Sequence, residues 1–171
     1  MKKLFLYVFL VLLFCGNGFA EFKDRDAKLN KLFEQLKKNN DASKTYEIEK
    51  KIWNIWSTHP THDNLTQSLA KGSNLMSKGG FEAAYNIFST IIESAPDWPE
   101  GWNKRATVLY LLGRYQESLK DIDEVLKLES RHFGALSGQG LVRTELKNYE
   151  KAIESYQAVQ KIYPSIRAAK V

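Results

Sequence analysis

Three histidines, His59, His62 and His132, are the side chains best suited to proton transfer or metal binding in this chain, so their surroundings come first. His59-Pro60-Thr61-His62-Asp63 gathers ligand-type residues in one short run. Pro60, however, keeps a helix from presenting both imidazoles on one face, and a structural metal site closes with four ligands, so an exposed linker is expected and no metal. His132 stands beside Phe133 at the start of a helical pattern, where a hydrogen-bonded, partly buried role is expected. Nucleophilic catalysis needs a hydroxyl or thiol within reach of a base held by a third group, and no such set recurs with usable spacing. Gly138-Gln139-Gly140 is a fragment of a nucleotide-loop pattern, but it falls inside a helix rather than after a strand. Glu145 and Glu150 lie on a polar surface with no apolar cleft to raise one pKa. The expectation is no catalytic residue and no cofactor, which leaves binding as the chemistry to explain.

The elements that would carry binding are written in a repeat. Between residues 65 and 166 small residues recur at Gly72, Ala106 and Gly140, and aromatics at Phe81, Tyr115 and Tyr149. Ala84, Ser118 and Ala152, then Phe88, Ile122 and Tyr156, then Pro96, Ser130 and Pro164 follow the same 34-residue step. Small residues where helices cross and a punctuator closing each unit are the signature of stacked helical hairpins. The units are 65–98, 99–132 and 133–166, with a tail at 167–171. Asn64 with Gln67 and Asp97 with Glu100 fit capping boxes, and Ser130 can cap the third unit. Gly79-Gly80 and Gly113 suit short turns, and Asn148 tolerates the same backbone in the third.

Residues 21–64 read as an atypical helical hairpin: Leu29, Leu32, Phe33 and Leu36, then Ile48, Ile52 and Ile55 with Tyr46, Trp53 and Trp56 beside them. A stack exposes an apolar face at each end, so this hairpin is expected to cap the first unit, its tryptophans serving as core.

The second unit, Trp102-Asn103-Lys104-Arg105-Ala106-Thr107 through Leu112-Gly113-Arg114-Tyr115, resembles the tetratricopeptide repeat, and Arg131-His132-Phe133-Gly134-Ala135-Leu136 is similar to secreted bacterial repeat proteins. The resemblance implies an all-α right-handed superhelix whose leading helices line a groove for extended peptides or partner helices, and no reaction. On that basis Leu69, Ser73 and Met76, then Asn103, Thr107 and Tyr110, then Ser137, Leu141 and Thr144 should face the ligand, with Tyr110 the anchor. One subgroup of the family grips a chaperone tail's carboxylate with basic and amide side chains. The matching positions here are Leu69, Ser73, Lys104, Gly134 and Gly138, and only Lys104 is cationic, which argues against that mode.

Within the second unit Arg105 and Asp121 replace neutral or unlike residues at equivalent positions of the other two, and they should pair across the hairpin. Tyr156, Val159 and Ile162 recur on a face that a further unit would cover, so an apolar contact patch, and a homodimer through it, is expected at the C-terminal end.

Lys2-Lys3, the apolar run Leu4 to Cys15 and Gly18-Phe19-Ala20 read as a cleaved signal peptide over 1–20, giving a periplasmic protein. Membrane contact is expected only if that segment is kept; Phe14 before Cys15 argues against lipidation. The remainder has no cysteine, hence neither disulfide nor thiol chemistry. Mixed-sign surfaces such as Lys120-Asp121-Ile122-Asp123-Glu124 argue against nucleic acid. The reading is an envelope adaptor for an unknown protein or peptide; its rivals are a self-assembling or tethered envelope component and a hydrolase accessory.

Overall fold

The computed structural model describes residues 23–166, so the signal-peptide and tail expectations lie outside the described residues. These residues form eight helices and no strand: α1 (23–38), α2 (Ala42–Ser57), α3 (Asp63–Ser77), α4 (Phe81–Ser94), α5 (Pro99–Leu111), α6 (Tyr115–Leu128), α7 (Phe133–Glu145) and α8 (Tyr149–Ile162). Helices α3–α4, α5–α6 and α7–α8 are the three hairpins of the array, each packed on the next.

Side-chain size is matched within each crossing. A Cβ placed on Gly72 would fall 2.5 Å from the Phe88 ring, and one on Gly140 2.5 Å from Tyr156, so glycine faces the two aromatics while Ala106 sits in the unit whose core residue is Ile122. The turns need a left-handed residue in register, and Gly79 (φ 82°), Gly113 (φ 72°) and Lys147 (φ 59°) supply it. In the third turn it is therefore Lys147, not Asn148, that turns left-handed. Asn148 caps α8 by accepting from Lys151 N.

The helix starts differ from the capping-box expectation. His62 is the N-cap of α3 without a side-chain bond to the helix N–H groups, and Trp98 that of α5, where Pro99 at the first turn fixes the entry. Glu100 is drawn away from capping into the interior. For α7, His132 rather than Ser130 caps, its Nδ1 accepting from Ala135 N at 3.1 Å. The expected Arg105–Asp121 pair is present and bidentate, with Nε–Oδ2 at 2.7 Å and Nη2–Oδ1 at 2.8 Å; Arg105 also reaches Ser89 Oγ at 3.2 Å. In the third unit the equivalent residues make a neutral contact, Ser155 Oγ to Gln139 Oε1 at 3.0 Å.

The α1–α2 hairpin forms as the apolar spacing predicts, with Asp41 capping α2 through bonds from Ser43 N and Lys44 N. Its position is the main departure. It does not stack on the first unit as an end cap; Leu29, Phe33, Leu36, Ile52 and Trp56 instead share one core with Phe133, Leu136, Val159 and Tyr163 of the last unit. Polar ties bridge the same contact: Arg131 Nη1 donates to Asn30 Oδ1 at 2.7 Å, and Tyr163 OH to Glu49 Oε2 at 2.9 Å. Tyr46, placed with the tryptophans by sequence, is 63% exposed.

The expected C-terminal patch is corrected by this arrangement. Val159 is fully buried under the hairpin, Ile162 packs against the same cluster, and Tyr156 is half-buried at the Gly140 crossing. The apolar residues left in water on α8 are Tyr149 (59% exposed) and Ile153 (50%).

Candidate binding groove

Helical spacing puts Glu100, Asn103, Lys104, Thr107 and Tyr110 along one side of α5, and Gly134, Ser137, Gly138 and Leu141 along the facing side of α7. The N-terminal halves of these two helices are covered. Trp56 stacks on His132 with centroids 4.0 Å apart and planes 10° from parallel, and Trp53 meets Phe133 edge-on at 5.4 Å. A Cβ on Gly134 would fall 2.4 Å from the Trp53 ring, so only glycine admits the indole there, and the Lys104 ammonium sits 5.8 Å from the same ring.

Under the tryptophans lies a sealed polar cluster. Glu100 and His132 are both 0% exposed, and Glu100 Oε2 lies 3.1 Å from His132 Nε2 and accepts from Asn103 Nδ2 at 3.2 Å. Because His132 Nδ1 accepts a backbone N–H, the ring proton is on Nε2 and is donated to Glu100. Lys104 Nζ stands 3.2 Å from the other carboxylate oxygen. Burial opposes ionisation of Glu100, but the His132 hydrogen bond and the Lys104 charge outweigh it and hold the carboxyl below its ordinary range. A glutamate–histidine pair resembles acid–base machinery, yet with both groups closed off no substrate atom can reach it.

Of the other two histidines His62 is exposed, whereas His59, in the run expected to be an exposed linker, is buried. His59 is 5% exposed, meets Trp98 edge-on at 5.1 Å, and its Nδ1 accepts from the backbone N–H groups of Thr61 (3.3 Å) and His62 (3.1 Å). Among the described residues no three metal-ligating side chains converge.

The C-terminal halves of α5 and α7 stay open. Between them is a crevice of about 200 Å³ bordered by Asn103, Thr107, Tyr110, Ser137 and Leu141, with Ile122 in its lining. Five of the sequence-predicted groove residues therefore meet at one place. Thr144 lies beyond it on α7, exposed, its hydroxyl bonded to Gly140 O at 2.9 Å. The first-unit trio does not join them: Leu69 is 3% exposed in the core with Phe88 and Trp98, Met76 packs on that core, and Ser73 is half-buried outside the crevice. Leu69 is thus a core residue, and its equivalent on α5, Asn103, is buried as well. At the crevice mouth the hydroxyls of Tyr110 and Tyr115 both lie 3.5 Å from Glu145. Burial and that carboxylate push the Tyr110 phenol up, keeping it a neutral donor.

Sequence reasoning missed Glu100, read as a cap, and the covering role of Trp53 and Trp56. Nothing local signals either, since the His132 that binds Glu100 is 32 residues away.

A protein-family profile described as tetratricopeptide repeat matches residues 69–127 and 103–165. A TPR repeat-containing protein of Rhizobium etli is 34% identical over 144 residues, spanning 83% of this chain and 69% of that protein. Tetratricopeptide repeat protein 12 of Mus musculus is 33% identical over 57% of this chain, which spans 14% of its length. Among solved structures, the first TPR of Spaghetti (RPAP3) bound to HSP90 peptide SRMEEVD superposes with a TM-score of 0.60 at 21% identity, covering 61% of this chain and 83% of that one, a likeness of fold.

Proposed function

The chain belongs to the tetratricopeptide-repeat family, and from that premise we propose that it is a non-catalytic adaptor binding an extended peptide or partner helix in the crevice between α5 and α7. The observation that carries this reading is the convergence of Thr107, Tyr110, Ser137 and Leu141, with the buried Asn103 in the lining, on the open part of a groove that the tryptophans close elsewhere. The ligand is largely uncharged. Lys104 is already neutralised by Glu100, and Glu145 at the mouth repels carboxylates, so an acidic tail such as SRMEEVD, the HSP90 peptide bound in the RPAP3 structure, is a poor fit. Tyr110 is the anchor, a rigid ring with a polar tip.

Peptides selected from a displayed library on the wild-type protein test the reading against a Tyr110→Ala/Leu141→Ala variant. Loss of about tenfold or more in affinity, with the melting temperature kept, is expected. Equal binding by both proteins removes the crevice from the account. Asn103 is a poor choice for this test because it bonds the buried Glu100.

The proposal includes export to the periplasm, supported by the basic start, the apolar run and the small residues at 18 and 20. Intact mass and cell fractionation test it; full-length chain confined to the cytosol overturns it. A second reading, self-assembly, is favoured by Tyr149 and Ile153. Their counterparts in the first two units, Phe81 with Tyr85 and Tyr115 with Leu119, pack into the core clusters of the array, whereas these two meet water. Light scattering of wild type and Ile153→Glu decides that reading.

A further inference from the structure

The α1–α2 hairpin spends its inner side on the repeats, and its outer side is a groove between the two helices with volumes of about 650 and 610 Å³ at its ends. The floor is Leu32, Ile48 and Ile55, each half-buried and packed from below on the hairpin's core. The walls are basic. Lys31 and Lys38 on α1 face Lys44 and Lys51 on α2, Lys28 and Lys50 extend the row, and the acids present are Glu34 and Glu47. Lys28 is paired with Asp24 and Lys38 with Glu34, but Lys31, Lys44, Lys50 and Lys51 make no ion pair among the described residues. The surplus arises partly because Glu49 is turned inward, accepting from Trp53 Nε1 at 3.2 Å and Tyr163 OH at 2.9 Å. The charges so gathered repel one another around an apolar trough, and Asp24, Glu34 and Glu47 compensate them only in part.

We propose that this groove docks an acidic amphipathic helix of a partner protein. Two antiparallel helices leave a trough that a third helix fills, and the 16 residues of α2 give it a length of about 24 Å, four turns of such a helix. An apolar stripe reaches the recessed Leu32, Ile48 and Ile55, while glutamates or aspartates flanking the stripe meet the lysine rows. A bilayer fits less well, because the apolar residues lie below the lysines rather than at the outermost surface. The site is separate from the α5–α7 crevice, whose lining holds no lysine or arginine.

The test uses a fluorescent peptide of roughly 18 residues with a leucine stripe flanked by glutamates, beside one with the same stripe flanked by lysines. The full chain should bind the glutamate peptide at least about tenfold more tightly than the lysine peptide, and binding should weaken from about 0.1 to 0.5 M salt. Lys31→Glu/Lys51→Glu should lose about tenfold for the glutamate peptide with unchanged helicity, whereas Tyr110→Ala should bind as wild type. Three results overturn the proposal: equal binding of both peptides; insensitivity to the charge reversal; or lysine-dependent binding to phosphatidylglycerol vesicles, or to a second copy of the chain, without binding of the peptide.

Discussion

The two ends of the repeat array meet water in opposite ways. At the first unit the outward face of α3 carries Gln67, Lys71 and Asn74, all exposed, where the second and third units place Gly101 and Ala135, Arg105 and Gln139, and the buried Val108 and Val142. That end is solvated by its own side chains and needs no cover. The last unit has no such provision, and its apolar Val159 and Tyr163 are buried only because the α1–α2 hairpin lies on them. The difference teaches why a segment preceding the array in sequence closes its far end: the hairpin goes where apolar surface is unsatisfied, and chain order does not decide.

The largest effect should come from cutting that closure. Trp56→Ala removes the ring stacked on His132 and should cost about 3 to 5 kcal/mol in urea denaturation, still as a single transition. Trp56→Phe keeps an aromatic face and removes an indole N–H that has no hydrogen-bond partner, so it should cost clearly less. A separate early melting of the hairpin, with the array left intact, would break the comparison.

Next in size is the ion pair of the middle unit. Arg105→Ala should destabilise by about 1 to 3 kcal/mol, since Asp121 is left buried without its partner. Lys71→Ala, at the same register on the solvated end, should stay within about 0.5 kcal/mol. Similar values for the two would mean the ends and the middle are not distinguished by burial.

Acid should act on His59 and Glu100, both buried. Burial, followed by the neighbouring His62, depresses His59 below its ordinary 6.5, and Glu100 lies below its ordinary 4.5. Both groups take up protons more readily in the unfolded chain, so stability is full at neutral pH and falls as pH drops, first below 6.5 and again below 4.5. Melting temperatures between neutral pH and pH 4 should show the first decline reduced in His59→Asn. The smallest effect concerns the solvated end: Asn74→Val should change stability by no more than about 0.5 kcal/mol, because Asn74 is exposed and no preceding unit packs on it among the described residues. A large gain would show that end to be covered after all.

What was legible in the sequence is what the repeat register carries. The matched sizes of Gly72 and Phe88, and the meeting of Arg105 with Asp121, follow from equivalent positions inside one hairpin. Legibility stops where partners are distant. The spacing of Leu29, Phe33, Ile52 and Trp56 shows that one face of each helix is buried, but an apolar stripe does not state its partner, and the nearest open end was the wrong one. Leu69 failed for a related reason: it and its equivalent Asn103 are both buried, at 3% and 7% exposed, so the register assigned to the groove faces inward in the first two units. Glu100 matched a capping pattern because that pattern is short, and the buried histidine that claims it lies 32 residues on, at the N-cap of α7.

A final consequence follows from the ties between Asn30 and Arg131, 101 residues apart, and between Glu49 and Tyr163, 114 apart. An open solenoid folds by local growth, each unit settling on its neighbour. Here the chain is stapled nearly end to end, so closing the largest loop comes after the array has formed, and long-range contacts of this kind slow folding. The hairpin, made before the repeats, should be the last of these elements to find its place. Until it does, Trp53, Trp56 and Phe133 face water, and refolding followed by tryptophan fluorescence should lag behind the recovery of helicity.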